Sequence, residues 1–202
     1  MTVSTIGVAD AGTPDKYLHT NQRTISSTAR EDQYVLPGQS AYPTYTSYSG
    51  SVSVATANSH LLQIMGDGSN YGRLLRVRIT IAGLASGSAA GGNFSIVRLS
   101  SAGTSGTAKT PAPFDTSNTY GGGSMTLPSS KGTEGATVGF VGGIWFPTTV
   151  TGTAPFITWT CGPEQPVIFG TATTNGIVIK NLNAVTSASV YVEALFLTTT
   201  FL

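Results

Sequence analysis

The stretch LLRVRITIA, at residues 74–82, decides the fold class of this chain. Positions 75, 77, 79 and 81 carry Leu, Val, Ile and Ile, whereas positions 76, 78, 80 and 82 carry Arg, Arg, Thr and Ala. A two-residue period of this kind is typical of a β-strand that has one face on the core and the other face in water. The stretch therefore predicts a half-buried strand.

The rest of the chain repeats this signal in short apolar runs separated by turn-rich loops, and no run has the period of a long helix. The predicted strands lie at residues 51–57, 61–65, 74–82, 94–100, 138–146, 156–160, 166–169, 176–180 and 189–199. In the last strand Leu195 and Leu197 make the second face apolar, which is typical of a central strand or of one between subunits. Many short strands without helices indicate an all-β fold, a jelly roll or another β-sandwich, with a barrel as the alternative.

Turn residues separate the predicted strands. Asp67-Gly68 and Asn70-Tyr71-Gly72 stand between two strands, where they predict a hairpin-type connection, and Asn175-Gly176 precedes another strand. A longer insert at 110–135 contains three prolines and three consecutive glycines. Inserts of this length in compact domains are usually functional or pack against a partner.

The first fifty residues differ from the rest of the chain. Residues 2–33 are small and polar, with no sustained strand or helix period. We therefore predict an extended N-terminal arm at residues 1–50 and a β-sandwich domain at residues 51–202. Tyrosine rings offer apolar area together with a hydroxyl group, so we expect the arm to lie on another surface through Tyr34, Tyr42, Tyr45 and Tyr48. A linker that folds back on its own domain is an equally good interpretation.

Charged residues are scarce in this chain. Only 9% of the residues are charged, against about a quarter in an ordinary soluble domain, and the formal net charge is +1. Nucleic-acid binding needs clustered Lys and Arg, so we expect no direct nucleic-acid partner. A surface with so few charges suits a protein that packs against copies of itself or a larger assembly. Arg73, Arg76 and Arg78 are the predicted contacts with another subunit or a larger assembly, because arginine is enriched at interfaces; the alternative is a solvated strand face.

The inventory of reactive groups is thin, and we expect no catalytic, metal or cofactor site. The two histidines are His19 and His60, and neither has ligand-like spacing to Cys161 or to a second histidine. His60 is predicted to be an interface or strand-edge histidine bonded to backbone. Trp145 and Trp159 could form a platform for sugars, but their apolar neighbours favour a place in the core.

Cys161 is the only cysteine, so no disulfide within the chain can form. No basic region with a following apolar run comes after Met1, so we expect no secretory signal. The apolar stretch at 190–202 is too short to span a bilayer and contains Glu193. These features predict a protein that is made in the cytoplasm and has no membrane partner.

Several segments of residues 51–202 resemble a family of structural proteins of tailed bacteriophages. They are the segments HLLQIM at 60–65, RLLRVRITI at 73–81, FSIVRL at 94–99, AGTSGT at 102–107, PAPFD at 111–115, KGTEG at 131–135, PEQPVI at 163–168 and NGIVIKN at 175–181. The resemblance implies a virion component with a jelly-roll domain, namely a homotrimeric decoration (cement) protein on the capsid surface. The major capsid protein, or another virion protein, would then be its partner.

Composition and resemblance together favour a structural virion protein that decorates and stabilises the outer capsid surface. The first alternative is a tail or head-fibre module that binds a glycan of the host surface, with residues 110–135 forming the site. The second is a hydrolase of envelope polysaccharide, which would need His60, Glu134 and Glu164 for its chemistry.

Overall fold

A computed structural model describes residues 2–8, 16–25, 28–33, 42–85, 89–149, 154–162 and 167–199. The chain divides into two compact units, residues 1–41 and residues 42–202. The first unit contains strands β1 (Thr2–Val8), β2 (Lys16–Ile25) and β3 (Thr28–Gln33), which form one antiparallel sheet in that order. The prediction of a single extended arm thus missed this sheet. Strand pairing uses backbone groups, so a polar sequence without alternation gives no signal of it.

The second unit is a β-sandwich of two antiparallel sheets, which confirms the predicted fold class. Its strands are β4 (Thr44–Ser53), β5 (His60–Met65), β6 (Tyr71–Gly83), β7 (Ala90–Leu99), β8 (Thr107–Lys109), β9 (Ala112–Pro113), β10 (Ser124–Thr126), β11 (Glu134–Phe146), β12 (Phe156–Thr160), β13 (Val167–Phe169), β14 (Gly176–Asn181) and β15 (Ser189–Thr199). The front sheet has the order β12-β6-β15-β4-β9, with β13 also paired to β6. The back sheet has the order β11-β7-β14-β5-β10-β8.

The pairing of the long strands has the nested pattern of a jelly roll. The first, β4, pairs with the last, β15, and β5 pairs with β14. Inside these pairs, β6 pairs with β12 and β13, and β7 pairs with β11. These nested pairs therefore lie alternately in the front sheet and the back sheet, as in a long hairpin wound into a sandwich.

This topology corrects one predicted boundary and one predicted connection. Strand β4 begins at Thr44 and pairs with β15 over most of its length, so the sandwich starts at residue 42 and not at residue 51. Its inward positions are Tyr45, Ser47 and Ser49, whose small or polar character hid the strand. The predicted hairpin between β5 and β6 is also wrong, because these strands lie in different sheets and residues 66–70 connect the sheets.

Apolar side chains from both sheets fill the space between them. Phe94, Phe146, Phe169 and Phe196 are among the largest fully buried side chains. Leu195 of β15 lies opposite Arg76 of β6, and Phe196 lies opposite Leu74, so Leu75 is an extra residue in β6. This β-bulge puts Leu74 in the core, whereas strict alternation predicted Leu75 there.

The insert between β7 and β11, residues 100–133, closes one edge of the sandwich. Strands β8 and β10 extend the back sheet beyond β5, and β9 pairs with β4 of the front sheet. Between them Tyr120 is buried against Tyr45 and Phe196, with ring centroids 5.2 Å and 5.1 Å apart. We call this side the closed edge. On the other side β11 and β12 are the terminal strands of their sheets and lie beside each other, and we call them the open edge.

The insert also covers the outer face of the back sheet. Strand β7 lies near the open edge and β8 at the closed edge, so residues 100–106 cross that face, and residues 127–133 cross back from β10 to β11. The Thr104 N–H donates a 2.8 Å hydrogen bond to the Ser130 carbonyl, and this bond joins the two crossing segments. A second apolar cluster of Met65, Val97, Leu99 and Val178 is buried on the back sheet.

Candidate functional site

The outer face of the front sheet carries a groove built from three neighbouring strands. Glu193 on β15 lies opposite Tyr48 on β4 and opposite Arg78 on β6. One step along the sheet, Tyr191 lies opposite Thr80. These five side chains line a shallow depression of about 180 Å³, which we call the tyrosine groove.

Direct contacts hold the side chains of the groove in place. The rings of Tyr48 and Tyr191 stack with centroids 5.7 Å apart and planes 24° apart. The guanidinium carbon of Arg78 lies 4.4 Å above the ring of Phe156, a cation–π contact. Arg76 Nη2 donates a hydrogen bond of 2.7 Å to Glu193 Oε1. Burial, followed by the proximity of Tyr191 and Glu193, raises the pKa of Tyr48, so its hydroxyl stays protonated at neutral pH.

The predicted arginine contacts share this outer face. Arg76 and Arg78 take part in the groove or border it, and Arg73 lies opposite Leu197 on β15 and Ile168 on β13. Strict alternation would place Arg73 on the opposite face from the other two, and the bulge at Leu75 brings all three to one face. Their role as subunit or capsid contacts stays a prediction.

The four predicted tyrosine contacts lie in different environments. Tyr34 lies outside the described residues. Tyr42 and Tyr48 are surface residues, 45% and 50% exposed. Tyr45 is only 3% exposed and packs against Tyr120 and Phe196 in the core, so it is not a surface contact. This prediction was wrong because Tyr45 belongs to β4, which had been assigned to the arm.

The open edge exposes two large aromatic side chains of β11. Phe140 is 59% exposed and Trp145 is 63% exposed. Trp145 was predicted to lie in the core, but its neighbours Ile144 and Phe146 point inward, so alternation turns Trp145 outward. The prediction is nearly right for Trp159, which is half-buried and packs against the core.

His60 belongs to a buried chain of polar contacts beneath the insert. Its Nε2 lies 2.8 Å from Glu134 Oε1, and its Nδ1 lies 2.8 Å from the Gln63 amide nitrogen. The other Glu134 oxygen accepts a 2.6 Å hydrogen bond from Lys180 Nζ. Gln63 Oε1 accepts the backbone N–H of Gly103, 3.0 Å away, in the first crossing segment. The prediction of a histidine bonded to backbone is therefore wrong, since both of its nitrogens face side chains.

A β-bulge makes this network possible. Leu62 lies opposite Ile179 and His60 lies opposite Lys180, so Leu61 is an extra residue in β5 and moves His60 to the side of Gln63. The Gly103 N–H fixes the Gln63 amide so that its nitrogen donates to His60 Nδ1, which leaves the His60 Nε2–H to donate to Glu134.

Burial determines the charge of this histidine. Desolvation lowers the pKa of His60 and outweighs the hydrogen bond to Glu134. Desolvation alone would raise the pKa of Glu134, but hydrogen bonds from Lys180 and His60 lower it. The network thus holds a neutral histidine and an ionised carboxylate. Both ring nitrogens of the histidine contact side chains, and Gln63 links them to the first crossing segment, so the network suits a tether for the insert.

Asp67 forms the turn between β5 and β6. Its Oδ1 accepts the N–H groups of Ser69 and Asn70 at 2.8 Å and 2.6 Å, and its Oδ2 accepts the Asn70 side chain. Within the described parts of the chain, no three His, Cys, Asp or Glu side chains come together as a possible metal site. The same parts contain no helix long and apolar enough to cross a membrane.

Sequence reasoning missed Tyr191, Glu193, Phe156 and Phe140. Tyr191 and Glu193 carried a usable signal, because they occupy the outward positions of the alternating strand β15. They lie beside Tyr48 and Arg78 only because β4, β15 and β6 are neighbours in the sheet, and no local sequence pattern reveals this strand order. No family model, curated protein or solved structure matches this chain.

Proposed function

We propose that this chain is a structural virion protein, a decoration protein that binds the outer capsid surface as a homo-oligomer and stabilises the shell. The observation that carries the proposal is the open edge. From Gly135 to Phe146, β11 contains no charged residue and no proline, and it exposes Phe140 and Trp145.

We expect a sheet edge with these features to be covered by a partner. Natural proteins protect terminal strands with charges, prolines or bulges, because unpaired N–H and C=O groups recruit other strands. Strand β11 has bulges but neither of the other protections. With only 9% charged residues in the chain, exposed aromatic side chains would favour association. A second copy of the same edge is the nearest available cover, and the bacteriophage resemblance supports a trimer.

The proposed mechanism is mechanical. Subunits bury their open edges against each other, and the first unit, residues 1–41, contacts a neighbouring capsid subunit. Several weak contacts joined in one chain act at high effective concentration, so the avidity exceeds the affinity of any single contact. The shell then resists the outward force of packed DNA.

Light scattering on the full chain tests the open edge. We expect an oligomer mass for the native chain and the monomer mass for the Phe140→Glu, Trp145→Glu double variant. Phe114→Glu is the matched control, because Phe114 is 68% exposed and lies in the insert. A monomeric native chain, or a double variant with unchanged mass, would contradict the role of the edge.

Co-sedimentation with empty shells of the encoding bacteriophage tests the capsid partner. We expect the native chain to sediment with the shells, and a chain lacking residues 1–41 to stay in the supernatant while keeping its oligomer mass. If the truncated chain sediments as well as the native chain, the proposed contact between the first unit and the capsid is wrong. Failure of the native chain to bind shells would remove the decoration function.

A further inference from the structure

The tyrosine groove has the chemistry of a sugar-binding site. One pyranose ring presents apolar C–H groups on its flat face and hydroxyl groups at its rim. The groove offers the matching pair of surfaces, with aromatic rings at Tyr48 and Tyr191 and hydrogen-bonding groups at Glu193, Arg78 and Thr80. We propose that the groove binds a hexopyranose unit of a surface glycan.

The two kinds of lining group have distinct tasks. The faces of aromatic rings carry partial negative charge, which attracts the partly positive C–H groups of a sugar. The carboxylate of Glu193 accepts hydrogen bonds from hydroxyl groups, and the guanidinium of Arg78 donates them to hydroxyl oxygens. Donors and acceptors that lie side by side suit hydroxyl groups, which are both donor and acceptor, better than they suit a simple anion.

The size of the groove favours a single ring. Pockets for drug-sized ligands have volumes of about 300–1,000 Å³. At about 180 Å³ the tyrosine groove is smaller and open to solvent, so it fits one sugar unit with the rest of the glycan outside. Because Tyr48 and Tyr191 stack on each other, at most one face of each ring remains for a ligand, which suits a single sugar ring better than a wide protein surface.

The lining side chains are held before any ligand arrives. Tyr48 and Tyr191 hold each other, Phe156 holds Arg78, and Arg76 holds Glu193. Binding therefore costs little side-chain entropy, which is the advantage of preorganised sites. Three such pairings surround one depression. This observation does not depend on the open edge or on a capsid partner.

One small ring makes few contacts, so the affinity of a single groove is low. For a ligand of this size we expect a Kd on the order of 1 mM. Many copies on one particle would convert this weak binding into strong adsorption.

Nuclear magnetic resonance on the full chain tests the proposal. The probes are the methyl glycosides of glucose, galactose, mannose, N-acetylglucosamine and rhamnose. We expect saturation transfer to at least one glycoside, together with shifts of the Thr80, Tyr191 and Glu193 amides. In Tyr191→Ala the binding should be lost, and in Tyr191→Phe it should remain, because the ring and not the hydroxyl is the platform. In Glu193→Gln the affinity should fall about tenfold, the loss of one charged hydrogen bond.

Tyr42→Ala is the matched control, since it removes an exposed tyrosine outside the groove and should leave binding unchanged. Amide spectra of all variants report whether each is folded. The proposal is overturned if none of the glycosides binds at about 50 mM, well above the expected Kd, or if binding survives in Tyr191→Ala. It is also overturned if Tyr191→Ala lowers the oligomer mass, because the groove would then be an interface between copies. The open-edge proposal is tested by the oligomer mass of the Phe140 and Trp145 double variant and not by glycoside binding, so each proposal can be contradicted without the other.

Discussion

The two edges of the sandwich are built from similar strands but differ in what covers them. At the closed edge the insert supplies β8, β9 and β10 and buries Tyr120 between the sheets. At the open edge no described segment lies beyond β11 and β12, and Phe140 and Trp145 face solvent. The chain thus uses 34 residues, from 100 to 133, to cover one edge and the adjoining sheet face.

This difference separates stability from assembly. Aromatic side chains at the closed edge are part of the core, and their loss should unfold the domain. Phe140 and Trp145 at the open edge are more than half exposed, so their loss should change association and leave the fold intact. The following predictions compare matched positions on the two sides.

The largest effect is expected at Tyr120. Replacing it with alanine removes a ring that packs on Tyr45 and Phe196 and a hydroxyl that donates to the Met65 carbonyl. We expect a loss of about 3–5 kcal/mol in the free energy of unfolding, as for other buried aromatic residues. Urea denaturation, followed by tryptophan fluorescence, measures it.

Phe140→Ala is the comparison at the open edge. Measured at a concentration at which the chain is monomeric, it should change the free energy of unfolding by no more than about 0.5 kcal/mol. Equal losses for Tyr120→Ala and Phe140→Ala would show that both edges belong to the core and would remove the distinction.

A smaller effect is expected where the insert crosses the back sheet. A Cβ atom on Gly103 would stand 2.7 Å from Pro128 Cβ, 2.7 Å from the Ser130 carbonyl and 2.8 Å from Gln63 Nε2. Gly103→Ala should therefore cost about 1–3 kcal/mol, because the crossing segment must move. Gly162→Ala, beside β12, is the control, since none of the residues that the structure describes lies within 4 Å of its Cβ position. Thermal unfolding of both variants should lower the Tm only for Gly103→Ala.

Lowering the pH should reduce the free energy of unfolding because of His60. Its folded pKa lies below the ordinary 6.5, so at pH values below 6.5 the unfolded chain takes up a proton that the folded chain does not. Stability therefore falls as the pH falls through this range. The pKa of Glu134 is lowered from 4.5, so the loss of its charge affects only lower pH. Between about pH 7.5 and 5.5, unfolding in urea should show a larger loss for the native chain than for His60→Gln. Equal losses would mean that His60 is not buried in its neutral form.

Strands β6 and β11 show where prediction from sequence succeeds and where it ends. Period-two alternation at residues 74–82 was enough to predict a sandwich strand, because one face of that strand is buried and the other is wet. Trp145 was assigned to the core because the apolar run around it gives no sign that β11 is a terminal strand. Sheet order decides that point, and it depends on contacts between residues far apart in the sequence.

The polar network shows the same limit at the level of a site. His60 and Glu134 are 74 residues apart, and they meet because a bulge at Leu61 turns the histidine and the insert returns across the sheet to Glu134. Neither the bulge nor the return path has a local sequence signal. The tyrosine groove likewise needs β4, β15 and β6 to be neighbours, which the jelly-roll pairing provides.

Among the charged groups, the smallest effect is expected for the exposed ion pair on the front sheet. Arg76 and Glu193 side chains are 42% and 33% exposed, so solvent screens their attraction, and Glu193→Gln should cost less than about 1 kcal/mol. Glu134→Gln should cost more, about 1–3 kcal/mol, because it leaves the largely buried Lys180 ammonium without its carboxylate. Urea denaturation at low and high salt distinguishes the two, since added salt should reduce only the Glu193 effect. If the two variants lose the same free energy of unfolding, the Arg76–Glu193 pair contributes as much to stability as the Glu134–Lys180 pair. The groove would then be a structural part of the sandwich and not a surface open to a ligand.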